Sequence, residues 1–180
     1  MISLRSDITQ KVLGYFMLHD RAELYINEMA RRLSVDDGNL TRKLKELEKE
    51  GILKSELKGQ EKYYSLNRSF PLVQEYKKII LKTVGLEQQL KELLKPIKGL
   101  KNAYIFGSYA TDKMDASSDI DLMVVGNHST IEVQKKIAEI QKSVNREINV
   151  INLSREEYAK KQKSDPFIKS ILRKKKIQIL

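Results

Sequence analysis

A chain of 180 residues with a net charge of +10, a pI near 9.6 and no cysteine excludes disulfide scaffolds, thiolate metal sites and Cys nucleophiles, and with only His19 and His128 it excludes a histidine-rich zinc site. Chemistry must then rest on carboxylates and a hard cation such as Mg2+. The length suits two small domains, no apolar run approaches the ~20 residues that cross a bilayer, and Met1-Ile2-Ser3-Leu4 has too little apolar length behind it for a secretory signal, so a cytoplasmic protein with no membrane partner is expected.

The basic charge is unevenly placed: residues 1–70 hold 13 Lys and Arg against 11 Asp and Glu, and residues 71–180 hold 21 against 13. Scattered lysines read first as a solvated surface, and beyond that as a field for nucleotide or nucleic acid. Helical periodicity opens with Ile8, Val12 and Phe16, with Asp7 three residues before Gln10 as a cap and an end near Leu18. Leu24-Tyr25-Ile26 leads to Asn27, read as a second cap, before Met29, Ala30 and Leu33 mark one face. After the polar turn Ser34-Val35-Asp36-Asp37-Gly38, a third helix carries Leu40, Leu44 and Leu47 at i, i+4 and i+7 and stops at Gly51. A hairpin follows, from Ile52 to Leu57 and from Lys62 to Leu66, with adjacent Tyr63 and Tyr64 facing opposite ways.

Two short helices, a tight turn and a hairpin resemble a winged helix-turn-helix domain of bacterial and archaeal regulators, over about residues 5–70. The third helix turns Asn39, Arg42, Lys43 and Glu46 outward. Asn and Arg can each make bidentate contacts with base edges, Lys43 or Lys45 can reach phosphate, and Lys58, Gln60 and Lys62 occupy the wing. The resemblance implies duplex DNA as a partner, and a homodimer, since such regulators commonly read two half-sites.

Pro71 marks a boundary. Beyond it Leu72, Tyr76, Ile79, Thr83, Leu86, Leu90, Leu93 and Ile97 keep the alternating spacing of four and three that makes a heptad seam. A linking helix over 71–97 is expected, bent at Gly85 and docked on the domain that follows. Ala103-Tyr104-Ile105-Phe106 then reads as a buried strand that breaks at Gly107-Ser108-Tyr109-Ala110-Thr111 into a helix, a turn whose bare N–H groups can cradle phosphate. In the next strand Asp119 and Asp121 share a face roughly 7 Å apart while Ile120 and Leu122 point inward. Two such carboxylates can share two Mg2+ ions about 3.5–4 Å apart, the clamp of phosphoryl transfer.

Gly-Ser, a spacer and Asp-x-Asp resemble the signature of the minimal nucleotidyltransferases of the DNA polymerase β superfamily, over about residues 95–180. The resemblance implies that Gly107 and Ser108 hold the phosphates of an NTP, that Asp119 and Asp121 hold Mg2+, and that a third strand carboxylate completes the set. Many members continue the turn as Arg-Gly where this chain has Thr111-Asp112, which removes a cation and adds an anion.

After Gly126, Ser129 caps a helix with Val133, Ile137, Ile140 and Val144 on its buried face. Residues 147–153 alternate as a strand, Ser154 with Glu157 forms a capping box, Asp165-Pro166 opens a last helix, and residues 175–180 alternate like an edge strand behind the gatekeeper cations Arg173-Lys174-Lys175-Lys176. The family's third acid is flanked by apolar residues, and the best-flanked position here is Asn149, which has no acid to offer. Glu147 shares its face by alternation and is the expected substitute. The fold expected is α+β: a winged helix over 1–70, a helical linker over 71–97 and a small mixed-sheet nucleotidyltransferase domain over 98–180. Its expected function is Mg2+-dependent transfer of a nucleoside monophosphate from an NTP to an unidentified acceptor hydroxyl, with protein and RNA among the acceptors left open, and the alternative is a DNA-binding regulator whose second domain senses nucleotide or is inactive.

Overall fold

The computed structural model describes residues 4–115 and 118–180; Met1-Ile2-Ser3, part of the signal reading, lies outside them. The chain divides into two compact units, Met1–Glu87 and Gln88–Leu180.

In the first unit, helix α1 (Asp7–Leu18) is capped by Ser6, whose hydroxyl accepts from the Thr9 N–H, rather than by Asp7. Val12, Leu13 and Phe16 are fully buried, as their spacing predicts. Strand β1 (Glu23–Tyr25) runs directly into α2 (Ile26–Leu33), so Asn27 falls inside the first turn and the cap position is Tyr25, with no side-chain bond. Asp36 caps α3 (Asp37–Lys49) by accepting from the Asn39 N–H, which draws Asp37 and Gly38 into the helix. Leu40, Leu44 and Leu47 are buried along it, and Gly51 follows at φ +80°. Strands β2 (Leu53–Lys58) and β3 (Glu61–Leu66) form the hairpin around Gly59-Gln60, and β1 joins β3 to give an antiparallel sheet in the order β1-β3-β2. Tyr64 is buried while Tyr63 meets the Tyr25 ring on the other side.

The expected linking helix is two helices, α4 (Val73–Thr83) and α5 (Leu86–Leu94), divided at Val84-Gly85. A methyl group on Gly85 would stand 2.8 Å from the Leu81 Cα, so the tight break requires glycine. The heptad seam is split with it. Val73, Ile80 and Leu81 turn inward and α4 packs on α1, which leaves the seam residues Leu72 and Ile79 about half exposed, at 51% and 49%. Along α5, Leu86 and Leu90 are buried, with Ile97 beyond it, and Gln89 accepts from the Ser143 hydroxyl. The seam is therefore divided between two helices rather than carried by one, and its first half belongs to the first unit, on the outer side of α4.

The second unit is built on a mixed four-stranded sheet in the order β6-β5-β4-β7. Strand β4 (Leu100–Phe106) ends in a single helical turn, α6 (Gly107–Ala110), and pairs antiparallel with β5 (Ile120–Gly126). Helix α7 (Thr130–Val144), capped by Ser129, returns the chain to β6 (Ile148–Leu153), parallel to β5. Helix α8 (Arg155–Ser164) begins with the predicted Ser154/Glu157 capping box, α9 (Pro166–Arg173) with the Asp165 cap, and β7 (Ile177–Gln178) pairs antiparallel on the outer edge of β4. Alternation sends Ile120, Leu122 and Val124 to one face; the other carries the cluster of Phe106, Met123, Val125 and Leu153 with Ile168 and Ile171 of α9 and Tyr158 of α8. Among the described residues no helix is long and apolar enough to cross a membrane.

Candidate functional site

Register fixes the site before any side-chain conformation does. Phe106 of β4, Asp121 of β5 and Asn149 of β6 are partners in adjacent ladders, so the three side chains form one row across the sheet. The next row inward, with Tyr104, Met123 and Ile151, already belongs to the apolar cluster under α8 and α9. Asp121 thus stands where the covered core ends, half-buried, with exposed Asp119 two residues earlier on the same face.

Gly107 follows Phe106 at φ +73°, a conformation glycine adopts freely, and a methyl group there would come within 2.2 Å of the Asp121 Oδ2. The missing side chain is what lets the turn lie against the carboxylate. Ser108 is half-buried beside it, and the Thr111 hydroxyl donates to the Gly107 carbonyl at 3.0 Å, closing the turn. Asp112, the anion that replaces the family's cation, lies at φ +57° and accepts from Lys175 at 2.8 Å, so its charge is answered by the tail instead of facing the turn alone. On the other side of the spacer the Arg146 guanidinium donates to the Asp115 and Ser118 carbonyls, both at 2.9 Å.

Burial pushes the Asp121 carboxyl above the usual carboxylate range, and the nearby Asp119 charge adds to the effect. A pair of carboxylates held this way at a turn open to phosphate fits a hard divalent cation such as Mg2+ with oxygen ligands. The third position differs from expectation. Asn149 donates its amide to Asp119 Oδ2 at 3.3 Å. Glu147 is exposed and precedes β6, its backbone carbonyl accepting from the Ile120 N–H, and among the described residues no three Asp, Glu, His or Cys side chains group to hold a metal. Glu147 therefore does not group with Asp119 and Asp121 as a third acid, and the residue in register with Asp121 is the amide Asn149.

The winged-helix residues sort by their ion pairs. Lys43 pairs with Glu46 at 2.6 Å, Lys62 with Glu48 at 2.9 Å, and Lys58 with Glu23. The Ser55 hydroxyl and Lys62 hold Glu48 below the usual carboxylate range, tying α3 to the wing. Asn39, Arg42 and Lys45 are exposed on α3, with Arg42 donating to Asn39 Oδ1 at 3.4 Å. Sequence spacing could not separate these two groups, because the partners of Lys58 and Lys62 lie on other elements, 35 and 14 residues away. A residue the sequence did not single out also borders the row of Phe106, Asp121 and Asn149: Phe167 of α9, 57% exposed, meets the Phe106 ring edge to face.

The family model "Polymerase beta, Nucleotidyltransferase" matches residues 88–177, and that of the MarR family matches residues 15–58. No curated protein matches the sequence significantly. Similar solved structures include a toxin-antitoxin with AMP-PNP (18% identity, 52% of this chain and 72% of that one, TM-score 0.40). HlyU from Vibrio cholerae is 25% identical over 43% of this chain and 75% of its own, with a TM-score of 0.34. The S. aureus MepR-DNA complex is 22% identical over 50% and 75%, with a TM-score of 0.36.

The raised Asp121 carboxyl makes a stability prediction with a definite sign. In metal-free buffer at neutral pH its charge opposes folding, so Asp121→Asn should melt higher than the wild type. Wild-type stability gains as the carboxyl protonates, so the difference should shrink on acidification and vanish below about pH 4, the range where an unfolded Asp titrates. Thermal melts across pH check this; a variant no more stable at neutral pH, or a gain that persists in acid, contradicts it.

Proposed function

This chain belongs to the polymerase beta nucleotidyltransferase family and carries a MarR-type winged helix ahead of that domain, and from this premise we propose that it transfers a nucleoside monophosphate from an NTP to an acceptor hydroxyl of protein or RNA while its first unit binds duplex DNA. The observation that carries the proposal is the Asp121 carboxylate lying against the bare Gly107 turn, with Asp119 beside it. Asp119 and Asp121 would hold Mg2+, as two ions in the full set, and Gly107 and Ser108 would bind the phosphates. When bound, Mg2+ supplies neutralisation of the triphosphate and of the departing pyrophosphate. The acceptor oxygen attacks the α-phosphorus, the bond to the bridging oxygen breaks, and the hydroxyl proton leaves to a base. Asn149 cannot be that base, since an amide does not take up a proton near neutral pH.

That amide favours a second reading: a DNA-binding regulator whose nucleotidyltransferase domain senses the nucleotide without transferring it. The two readings share binding and differ only in turnover.

The DNA surface rests on Asn39, Arg42 and Lys45, the exposed α3 candidates that do not belong to the ion pairs above. A homodimer is supported by α4. Leu72, Tyr76 and Ile79 make an outward apolar stripe. In an antiparallel pairing of two copies centred on Ile79, Glu75 of one helix meets Lys82 of the other. Soluble use inside the cytoplasm is consistent with these partners.

Mg2+ with an NTP should raise the melting temperature of the full chain, by mass action on the folded state, and Asp119→Asn with Asp121→Asn should remove the metal-dependent part. A labelled NTP incubated with cell extract separates the readings: a labelled acceptor means transfer, whereas a shift with no product means sensing. In the second reading Asn149→Asp should confer turnover, and in the first it should preserve or raise it.

Affinity for duplex DNA should fall steeply with salt; Arg42→Ala should relax base preference and cost about 1–3 kcal/mol at one position, while Lys45→Ala should weaken all sequences alike in gel-shift selection. Loss of dimer in sedimentation is the expected result for Ile79→Glu, and an unchanged oligomeric state in that variant places the interface elsewhere.

A further inference from the structure

We propose that Phe167, at the start of α9, is the platform on which the nucleobase stacks when a nucleotide occupies the Asp119/Asp121 site; the inference rests on the nucleotide-binding reading above. Helix α9 has a clear inward face, with Ile168 and Ile171 only 3% and 4% exposed. Phe167, adjacent to that face, is left 57% exposed, although it is one of the chain's four phenylalanines. Its position is fixed from both sides. The Asp165 carboxylate accepts from the Phe167 N–H at 2.8 Å, Pro166 precedes it in the first turn, and its ring meets that of Phe106 with centroids 6.3 Å apart at an interplanar angle of 78°.

Phe106 connects this aromatic pair to the candidate metal site. It is the residue immediately before Gly107 and the cross-strand partner of Asp121. Directly opposed side chains are neighbours on the sheet face, so a single ring contact links Phe167 to the residue that stands opposite Asp121. A nucleotide whose phosphates lie between the Gly107 turn and the aspartates must send its sugar and base outward from the covered core, and Phe167 is the exposed aromatic surface bordering that row. An aromatic face stacks on any base, because every base has a π face, and a ring held by a helix cap and a buried neighbour loses little freedom when it does so. The platform therefore adds affinity for the nucleoside part while reading its identity weakly, with purines favoured by their larger overlap.

The test compares Mg2+-ATP with Mg2+-tripolyphosphate, which has the phosphates and no base, binding to full-length protein in a calorimeter. Phe167→Ala should weaken ATP binding about ten- to a hundredfold and leave tripolyphosphate unchanged, and Phe167→Tyr should restore ATP affinity. Unchanged ATP affinity in Phe167→Ala overturns the inference and leaves the exposed ring to an acceptor or a protein partner. Equal weakening of both ligands also overturns it, as general damage to α9. If neither ligand binds the wild-type chain, the nucleotide-binding reading fails and this inference fails with it; if tripolyphosphate binds in a manner dependent on Asp119 and Asp121 but ATP binds no tighter, this inference alone fails.

Discussion

The antiparallel pairing of β4 with β5 is the contact from which the second unit's chemistry follows. Because Phe106 and Asp121 are directly opposed, the chain that turns at Gly107 must pass over the Asp121 carboxylate, and only a residue without a side chain can do so. The same register brings Asn149 alongside from β6 and leaves Tyr104, Met123 and Ile151 to the apolar cluster behind. A slip of one residue would send Asp119 and Asp121 into the opposite, buried face and lose the site. Core packing and site geometry are thus selected together: the residues that bury the sheet hold the aspartates at its margin.

Several charges that stand out in the sequence are answered within the chain. On the winged helix, three of the lysines most exposed to view in the sequence have acidic partners, and Asp112 near the Gly107 turn is met by Lys175. Such exposed pairs contribute little to stability, commonly under 1 kcal/mol each. Their larger effect is on the surface field, since a paired lysine presents a weaker charge to a phosphate than a free one. Arg42 and Lys45 of α3 stand outside these pairs.

What could be read from the sequence was whatever depends on neighbours in the chain. The Gly107-Ser108 turn, the alternation of Asp119 and Asp121, the Ser154/Glu157 box and the Ser129 and Asp165 caps are local patterns, and the structure has them. The heptad seam was legible as a spacing but not as a surface, because Val84-Gly85 breaks the helix and α1 takes a different face of α4 from the one the spacing marks. Asn27 looked like a cap only while β1 was invisible; the strand runs into α2 with no residue between them. The apolar flanks pointed to Asn149, and the parallel register does set it beside Asp121; Glu147 was reached only by alternation from it, and alternation gives a shared face without saying which residues stand together. Phe167 carried no signal at all, being one more aromatic near an apolar stripe until Phe106 was placed next to it.

The small strand β7 has a bearing on how the protein is made. β4 lies between β5 and β7, and Ile179 donates its N–H to the Ala103 carbonyl at 2.8 Å, so one side of the strand that leads to Gly107 is paired by residues about 75 positions later in the chain. Local pairs and the β5-α7-β6 crossover can form as the chain leaves the ribosome, whereas this closure must wait for residues made much later, and contacts of such separation form slowly. Until then β4 has an unpaired row of N–H and C=O groups beside an apolar face, the kind of edge on which nascent chains associate. The four consecutive cations Arg173 to Lys176 stand immediately before β7 in the chain, so the segment that closes this edge brings positive charge with it, and charge beside an edge strand discourages association with another chain.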